Sequence, residues 1–167
     1  VSTLNIREPR PEVDLAELIR YGREKGVGVV LWTLWNPMKR DLEGILDTYR
    51  DWGVKGIKID FMQRSDQEMV RFYEQIARAA FDYARRNGKT RVTVVTKANI
   101  LKKTDGKFTA LCHEVAADYP EITVDDYYID IMAANLVNER VRGQFQVLLL
   151  PNLYGDIITD EAAQLQG

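Results

Sequence analysis

The chain has 167 residues, of which 46% are hydrophobic, so it is long enough to fill one core and short for two. Its formal net charge of −2 gives no general attraction to nucleic acid or to an anionic membrane. One cysteine, Cys112, excludes an intrachain disulfide and a metal site made of several cysteines. The longest apolar run, 27–34, is too short to cross a bilayer, and no signal-peptide pattern opens the sequence. We therefore predict one soluble, cytoplasmic domain.

Helix and strand patterns alternate along the first half of the chain. Asp14 is a predicted cap for a helix that ends near Gly26. The nearly continuous apolar run 27–35 is typical of a strand that is covered on both faces. A second helix over 41–53 and a strand over 56–61 are predicted next.

A long helix joins this half to the next one. Ser65 and Glu68 form a predicted capping box at its start, and Asn87 and Gly88 are a typical stop. The second half then repeats the alternation, with predicted strands over 91–96, 122–130 and 146–151 and predicted helices over 105–119, 131–140 and 154 or 156–166.

Five strands that alternate with helices over short connections favour parallel pairing with right-handed crossovers. We therefore predict an α/β fold, a three-layer α/β/α sandwich around about five mainly parallel strands, flavodoxin-like or Rossmann-like. The order of the strands stays open.

Two groups of motifs resemble two unrelated enzyme families. The segments 53–62 and 64–69, which contain Gly-Ile-Lys-Ile-Asp-Phe-Met, resemble the catalytic barrel of glycoside hydrolase family 97. The segments 97–100 (Lys-Ala-Asn-Ile), 151–157 (Pro-Asn-Leu-Tyr-Gly-Asp-Ile) and 160–162 resemble the β-decarboxylating isocitrate/isopropylmalate dehydrogenases.

The two resemblances cover residues 13–73 and 76–167 and meet inside the long helix. This order of motifs predicts an engineered chimera in one domain, 1–167. Its βα units over 1–75 would derive from half a barrel, and those over 76–167 from a dehydrogenase.

Asp60 is the candidate catalytic residue of the first half. The resemblance implies that it corresponds to the nucleophilic carboxylate of the retaining glycosidases. Such enzymes need a second carboxyl group about 5 to 5.5 Å away, and in the family that group lies on a later strand outside the matched segment. We expect Asp60 to be a solvated aspartate without catalytic function, and Trp32 and Trp35 to serve in packing rather than as a sugar platform.

The second half has its own candidates by resemblance. Lys97 corresponds to the proton-handling lysine of the dehydrogenases and Asn99 to its neighbour on the substrate side. Asp130, Asp156 and Asp160 correspond to the magnesium ligands. In the family this site is shared between two subunits, and the substrate-binding arginines and the adenine-binding loop lie outside the matched segment. We therefore expect no working catalytic residue and a vacant metal site, with weak, millimolar Mg²⁺ binding as the alternative.

The predicted function is a chimeric α/β scaffold that is not an enzyme and requires no cofactor, partner, nucleic acid or membrane. Two alternatives stay open, which are weak Mg²⁺ or small-anion binding at the C-terminal ends of the strands, and residual hydrolase or dehydrogenase activity. A monomer is predicted, with a homodimer as the alternative. His113, beside Cys112, is predicted to be a histidine on a helix surface.

Overall fold

The computed structural model describes residues 5–62, 64 and 66–166, without the side chain of residue 166. The chain divides into two compact units, of which the first ends at residue 63 and the second begins at residue 64. Among the described residues, no helix has the length and apolar character needed to span a membrane.

The first unit contains three helices and two strands among its described residues. In chain order they are α1 (Leu15–Glu24), β1 (Val30–Leu34), α2 (Trp35–Met38), α3 (Leu42–Trp52) and β2 (Gly56–Asp60). As predicted, the Asp14 carboxylate caps α1 by accepting a hydrogen bond from the backbone N–H of Glu17. Asp41 caps α3 in the same way, and Gly53 ends α3 with a φ of 89°.

The strands β1 and β2 form a parallel two-stranded sheet, in register from Val30 opposite Gly56 to Leu34 opposite Asp60. Tyr49 is completely buried in this unit, and its hydroxyl donates to the carbonyl oxygen of Ile6 at 2.7 Å. The other buried apolar side chains of the unit are Ile6, Leu15, Ile19, Leu31, Trp35, Met38, Leu42, Ile45 and Val54.

The second unit contains the remaining elements, which are α4 (Gln67–Arg86), β3 (Arg91–Thr96), α5 (Asp105–Ala116), β4 (Thr123–Tyr128), α6 (Ile129–Val137), α7 (Glu139–Arg142), β5 (Val147–Leu149) and α8 (Asn152–Gln166). Asp66 is the cap of the long helix α4, and its carboxylate accepts from the N–H of Met69 at 3.1 Å. The predicted cap, Ser65, lies outside the described residues.

The strand β3 is central in a parallel three-stranded sheet of order β4-β3-β5. On one face, Val92 and Val94 pack with side chains of α4 and α5, including Phe81. On the other face, Val95 packs with Met132 of α6 and with a residue of α8. Burial on both faces accounts for the unbroken run of β-branched residues in β3, and it gives this unit its helix–sheet–helix layers.

The predicted α/β fold with parallel strands is confirmed, but the strands form two sheets rather than one. Both edges of β3 are occupied, by β4 and by β5, so β3 has no free edge for β2. Several boundaries also differ from the predictions; β1 begins at Val30 instead of residue 27, and α5 ends at Ala116 instead of residue 119. Trp35 begins the helix α2 instead of ending a strand, and the helix predicted over 131–140 begins at Ile129 and is divided at Asn138, whose side chain caps α7. The assignment of residues 1–167 to one domain stays a prediction.

Candidate functional site

The carboxyl edge of the three-stranded sheet brings two of the predicted site residues together. Lys97 directly follows β3, and Asp130 lies two residues after β4. Because β3 and β4 are parallel neighbours with Thr96 opposite Tyr128, these residues leave the sheet at the same edge. The Nζ of Lys97 lies 2.5 Å from Oδ1 of Asp130 and 5.6 Å from the centre of the Tyr128 ring.

This ion pair is open to solvent on the aspartate side. The hydrogen bond from Lys97 is the main cause that lowers the pKa of Asp130, while desolvation acts against it. The Asp130 side chain is 62% exposed, so the pair is of the kind that contributes little to stability. Its effect is to keep the carboxylate ionised next to an ammonium group.

A buried carboxylate, Asp105, lies behind Lys97 and is only 6% exposed. Its Oδ2 accepts from the backbone N–H of Lys97 at 2.8 Å and from the hydroxyl of Tyr154 at 2.6 Å. Its Oδ1 accepts from the hydroxyl of Thr104 at 3.3 Å. A buried charge is tolerated when it is hydrogen-bonded in this way. Asp105 therefore ties the loop after β3 to the start of α5 and to the first turn of α8.

The sequence did not single out Asp105 as a site residue. An aspartate at a helix start is usually an exposed cap, yet here Thr104 occupies the cap position and makes no side-chain cap hydrogen bond. The sequence pattern places Tyr154 only at the start of a predicted helix. Burial, followed by the hydrogen bond to Asp105, raises its pKa to about 12. Two motifs are the only sequence signals for this cluster. They are Lys-Ala-Asn, which begins at Lys97, and Asn-Leu-Tyr, which ends at Tyr154.

The three predicted magnesium ligands lie in different environments. Asp130 pairs with Lys97, Asp156 is half-buried in the first turn of α8, and Asp160 is exposed one turn later. Their oxygens suit a hard cation. In the described part of the chain, however, no three His, Cys, Asp or Glu side chains are close enough to hold a metal ion. The single chain thus does not gather a three-aspartate site, and the role of these residues as ligands stays a prediction.

Asp60 ends β2 in the first unit, and both of its carboxylate oxygens accept hydrogen bonds. The indole Nε1 of Trp32 donates to Oδ2 at 3.0 Å, and the backbone N–H of Phe61 donates to Oδ1 at 2.6 Å. The rings of Trp32 and Phe61 meet edge to face with centroids 6.4 Å apart. Trp35 is buried, which confirms its predicted packing role, whereas Trp32 is partly exposed.

The sole cysteine and histidine form no reactive pair. Cys112 is fully buried, and this burial, with a contribution from Asp126, raises the pKa of its thiol to about 12. His113 lies on the helix surface, as predicted, with Nε2 2.8 Å from Oδ2 of Asp126.

The parallel sheet of the second unit, with helices on both faces and Lys97 and Asp130 at its carboxyl edge, defines an α/β protein. The sequence model of the isocitrate/isopropylmalate dehydrogenase family matches residues 53–167, and that of glycoside hydrolase 97 matches residues 1–86. The chain belongs to the isocitrate/isopropylmalate dehydrogenase family over the first of these ranges and to the glycoside hydrolase 97 family over the second. The two resemblances predicted from the motifs are thus confirmed.

Individual relatives match a little more than half of the chain. The 3-isopropylmalate dehydrogenase of Archaeoglobus fulgidus is 50% identical over 94 residues, which are 56% of this chain and 28% of that protein. The probable mitochondrial isocitrate dehydrogenase (NAD) subunit alpha of Caenorhabditis elegans is 47% identical over 92 residues, or 55% of this chain and 25% of that protein. The chain therefore spans about a quarter of the length of these relatives.

A solved structure also matches a little more than half of the chain. The crystal structure of isocitrate dehydrogenase from Methylococcus capsulatus superposes with a TM-score of 0.55 and 45% identity. The match covers 58% of this chain and 28% of that one. More than half of the chain is thus similar to a segment of an isocitrate dehydrogenase.

Proposed function

We propose that the chain is a chimeric α/β scaffold that carries the catalytic activity of neither family. The observation that carries this proposal is that the candidate catalytic groups of both parts are engaged by neighbouring side-chain or backbone groups of their own unit. Asp60 accepts from Trp32 and Phe61, and Lys97 donates to Asp130.

The contacts of Asp60 oppose a role as a nucleophile. A carboxylate that attacks a sugar carbon must direct an oxygen lone pair at that carbon, with a second carboxyl group about 5 to 5.5 Å away. Both Asp60 oxygens instead accept hydrogen bonds that stabilise the end of β2 and the orientation of Trp32. Asp60 is therefore assigned a structural role in the scaffold.

The contacts of Lys97 oppose a role in proton transfer. An amine that moves a proton must be within hydrogen-bond reach of its substrate. The Lys97 amine is directed at Asp130, and its backbone N–H is fixed by Asp105. In the proposed scaffold, the buried carboxylate of Asp105 holds the sheet edge together.

Turnover assays test the proposal directly. Reduction of NAD with isocitrate or 3-isopropylmalate in the presence of Mg²⁺, and hydrolysis of aryl glycosides, are measured for the parent chain and for Asp60→Ala and Lys97→Ala. We expect no difference between the parent and either variant. Turnover by the parent that one variant abolishes, while its circular dichroism spectrum stays unchanged, would refute the scaffold proposal.

Unfolding experiments test the single-domain part of the proposal. One cooperative transition, seen alike by tryptophan fluorescence and by far-ultraviolet circular dichroism, is expected of an integrated domain. All three tryptophans precede residue 63, so fluorescence reports the first unit alone. Separate fluorescence and dichroism transitions would contradict the single domain.

Weak Mg²⁺ binding at the carboxyl edge of the three-stranded sheet is the second candidate function. The hydrogen bond between Asp105 and Tyr154 holds the first turn of α8, which contains Asp156, close to the loop that begins at Lys97. Asp130 at the same edge is exposed and ionised. Mg²⁺ titration should shift the NMR signals of Asp130 and Asp156 and leave those of Asp118, an aspartate outside this edge, unchanged. Equal shifts at all three would refute a defined site.

A further inference from the structure

A surface pocket of about 310 Å³ lies at the amino-terminal ends of β1 and β2, at the opposite end of the two-stranded sheet from Asp60. We propose that this pocket binds a small organic anion, a phosphate or carboxylate attached to a compact apolar group. Arg23 and Lys55 would hold the charge, and Ile19 and Val27 would contact the apolar part. This inference concerns the first unit and is independent of the proposed scaffold function.

Two tight helix endings form the pocket. Gly26 after α1 and Gly53 after α3 have φ angles of 74° and 89°, a left-handed conformation that glycine adopts without strain. The backbone N–H of Val27 donates to the carbonyl of Gly22 at 2.7 Å, which occupies a carbonyl at the end of α1. The N–H of Val54 closes the end of α3 in the same way. These hydrogen bonds leave fewer unpaired carbonyl groups at the C-terminal ends of both helices. They therefore reduce the negative partial charge beside the pocket.

Glycines also let the two basic side chains lie against the pocket wall. A Cβ atom at Gly53 would come within 2.8 Å of a guanidinium nitrogen of Arg23. A Cβ atom at Gly28 would come within 3.1 Å of the Cβ of Lys55. Neither position could gain a side chain without moving Arg23 or Lys55, so the two glycines help to define where the positive charges lie.

The charges of Arg23 and Lys55 are not neutralised within the described part of the chain, where neither side chain has an ion-pair partner. The carboxylates nearest to them in sequence, which follow Arg23 directly and precede Lys55 by four residues, are already engaged. Glu24 pairs with Arg20, and Asp51 pairs with its neighbour on α3 at 3.1 Å. Two adjacent cations at a concave surface without a lining carboxylate create a positive potential that attracts an anion.

Free backbone donors add to this attraction. The N–H groups of Gly28 and Val29, which both line the pocket, donate to no backbone carbonyl among the described residues. Backbone N–H groups that are not used in secondary structure are common ligands of phosphate and carboxylate oxygens. The pocket therefore combines cationic side chains with main-chain donors.

The size and walls of the pocket select the class of anion. A volume of about 310 Å³ lies at the lower end of small-molecule sites and exceeds what a bare inorganic ion needs. Ile19, Val27 and Val29 supply apolar wall. An anion with a small hydrocarbon or aromatic body uses both features, so phenyl phosphate is a suitable probe.

An NMR titration with phenyl phosphate tests the proposal. We expect saturable shifts of the amide signals of Gly26, Gly28 and Gly53. Arg23→Gln or Lys55→Gln should weaken the affinity by roughly threefold to tenfold, the range for a charged contact at a partly exposed site. The matched control, Arg10→Gln, removes an exposed charge of the same unit outside the pocket and should leave the affinity unchanged.

Three results would overturn the proposal. They are shifts that do not saturate, equal weakening by Arg10→Gln and by Arg23→Gln, and binding of uncharged phenol as tight as that of phenyl phosphate. Urea unfolding of each variant, monitored by tryptophan fluorescence, shows whether the first unit stays folded. If Arg23→Gln is unstable, Lys55→Gln alone decides, because Lys55 is an exposed residue before β2 and its charge has no ion-pair partner among the described residues.

Discussion

The hydrogen bond between Tyr154 and Asp105 is expected to be one of the strongest single contacts in the second unit. Its length is 2.6 Å, its acceptor is a buried carboxylate, and the Tyr154 side chain is itself buried. A hydrogen bond to a charged group contributes about 1.5–3 kcal/mol. Tyr154→Phe removes the donor and leaves the carboxylate with its bond from Lys97, so we expect a loss of about 2 kcal/mol in the free energy of unfolding.

Asp105→Ala should cost more, about 3 kcal/mol, because it leaves two donors, the buried Tyr154 hydroxyl and the partly buried Lys97 N–H, without an acceptor. The double variant should cost little more than Asp105→Ala alone, since no orphaned hydroxyl remains at Tyr154. Urea unfolding followed by circular dichroism measures all three. Tyr83→Phe is the control, because Tyr83 is a half-buried tyrosine of the same unit. Equal costs for Tyr83→Phe and Tyr154→Phe, or strictly additive losses in the double variant, would refute this reasoning.

Three further predictions concern the second unit. Asp66→Ala should destabilise α4 by about 1 kcal/mol, because it removes the cap acceptor, and amide hydrogen exchange in the first turn should accelerate. The pKa of Tyr154 is raised from 10.0 to about 12, so the folded state holds this proton more tightly. The stability that this proton contributes is complete below pH 10 and is lost as the pH rises through 12. The urea concentration at the unfolding midpoint should therefore fall less over this pH range in Tyr154→Phe than in the parent chain. Cys112, with a thiol pKa of about 12 and no exposed surface, should react with a disulfide reagent only after unfolding in urea.

Local signals predicted the local structure of the chain well. Asp14 precedes the apolar positions of α1 at the spacing of a cap, and its carboxylate caps that helix. Gly53 follows the last apolar residue of α3, and it has the left-handed conformation that ends a helix. Each of these outcomes depends on interactions within four or five residues, which a sequence pattern represents directly.

The arrangement of the strands and the buried site depended on distant residues. The runs 56–61 and 91–96 both have strand patterns and both follow helices, and nothing in either run specifies its neighbour in a sheet. The second edge of β3 is taken by the short strand β5, whose pairing begins with Val92 opposite Val147. The Asp105 side chain is buried because Tyr154, 49 residues later, donates a hydrogen bond to its carboxylate. Such long-range choices are set by packing and not by local propensity.

Phe61 has a backbone conformation that leads to a test at the end of β2. Its φ is 59°, the left-handed region that a bulky residue occupies at a cost of about 1–2 kcal/mol. The side chain is 56% exposed, so its burial compensates for only part of this strain. Phe61→Ala keeps the strain and loses the ring contact with Trp32, whereas Phe61→Gly loses the same contact and relieves the strain.

We therefore expect Phe61→Gly to be more stable than Phe61→Ala by about 1 kcal/mol, the reverse of the usual order of glycine and alanine. Trp32 lies in the same unit, and its fluorescence in urea monitors both variants. The control is Ala163→Gly, at an exposed position inside α8, where glycine should be the less stable residue by a similar amount when unfolding is followed by circular dichroism. An alanine at position 61 that is as stable as glycine would mean that the strain at the end of β2 is absent. The hydrogen bond from the Phe61 N–H to Asp60 would then be insufficient to hold this backbone conformation in solution.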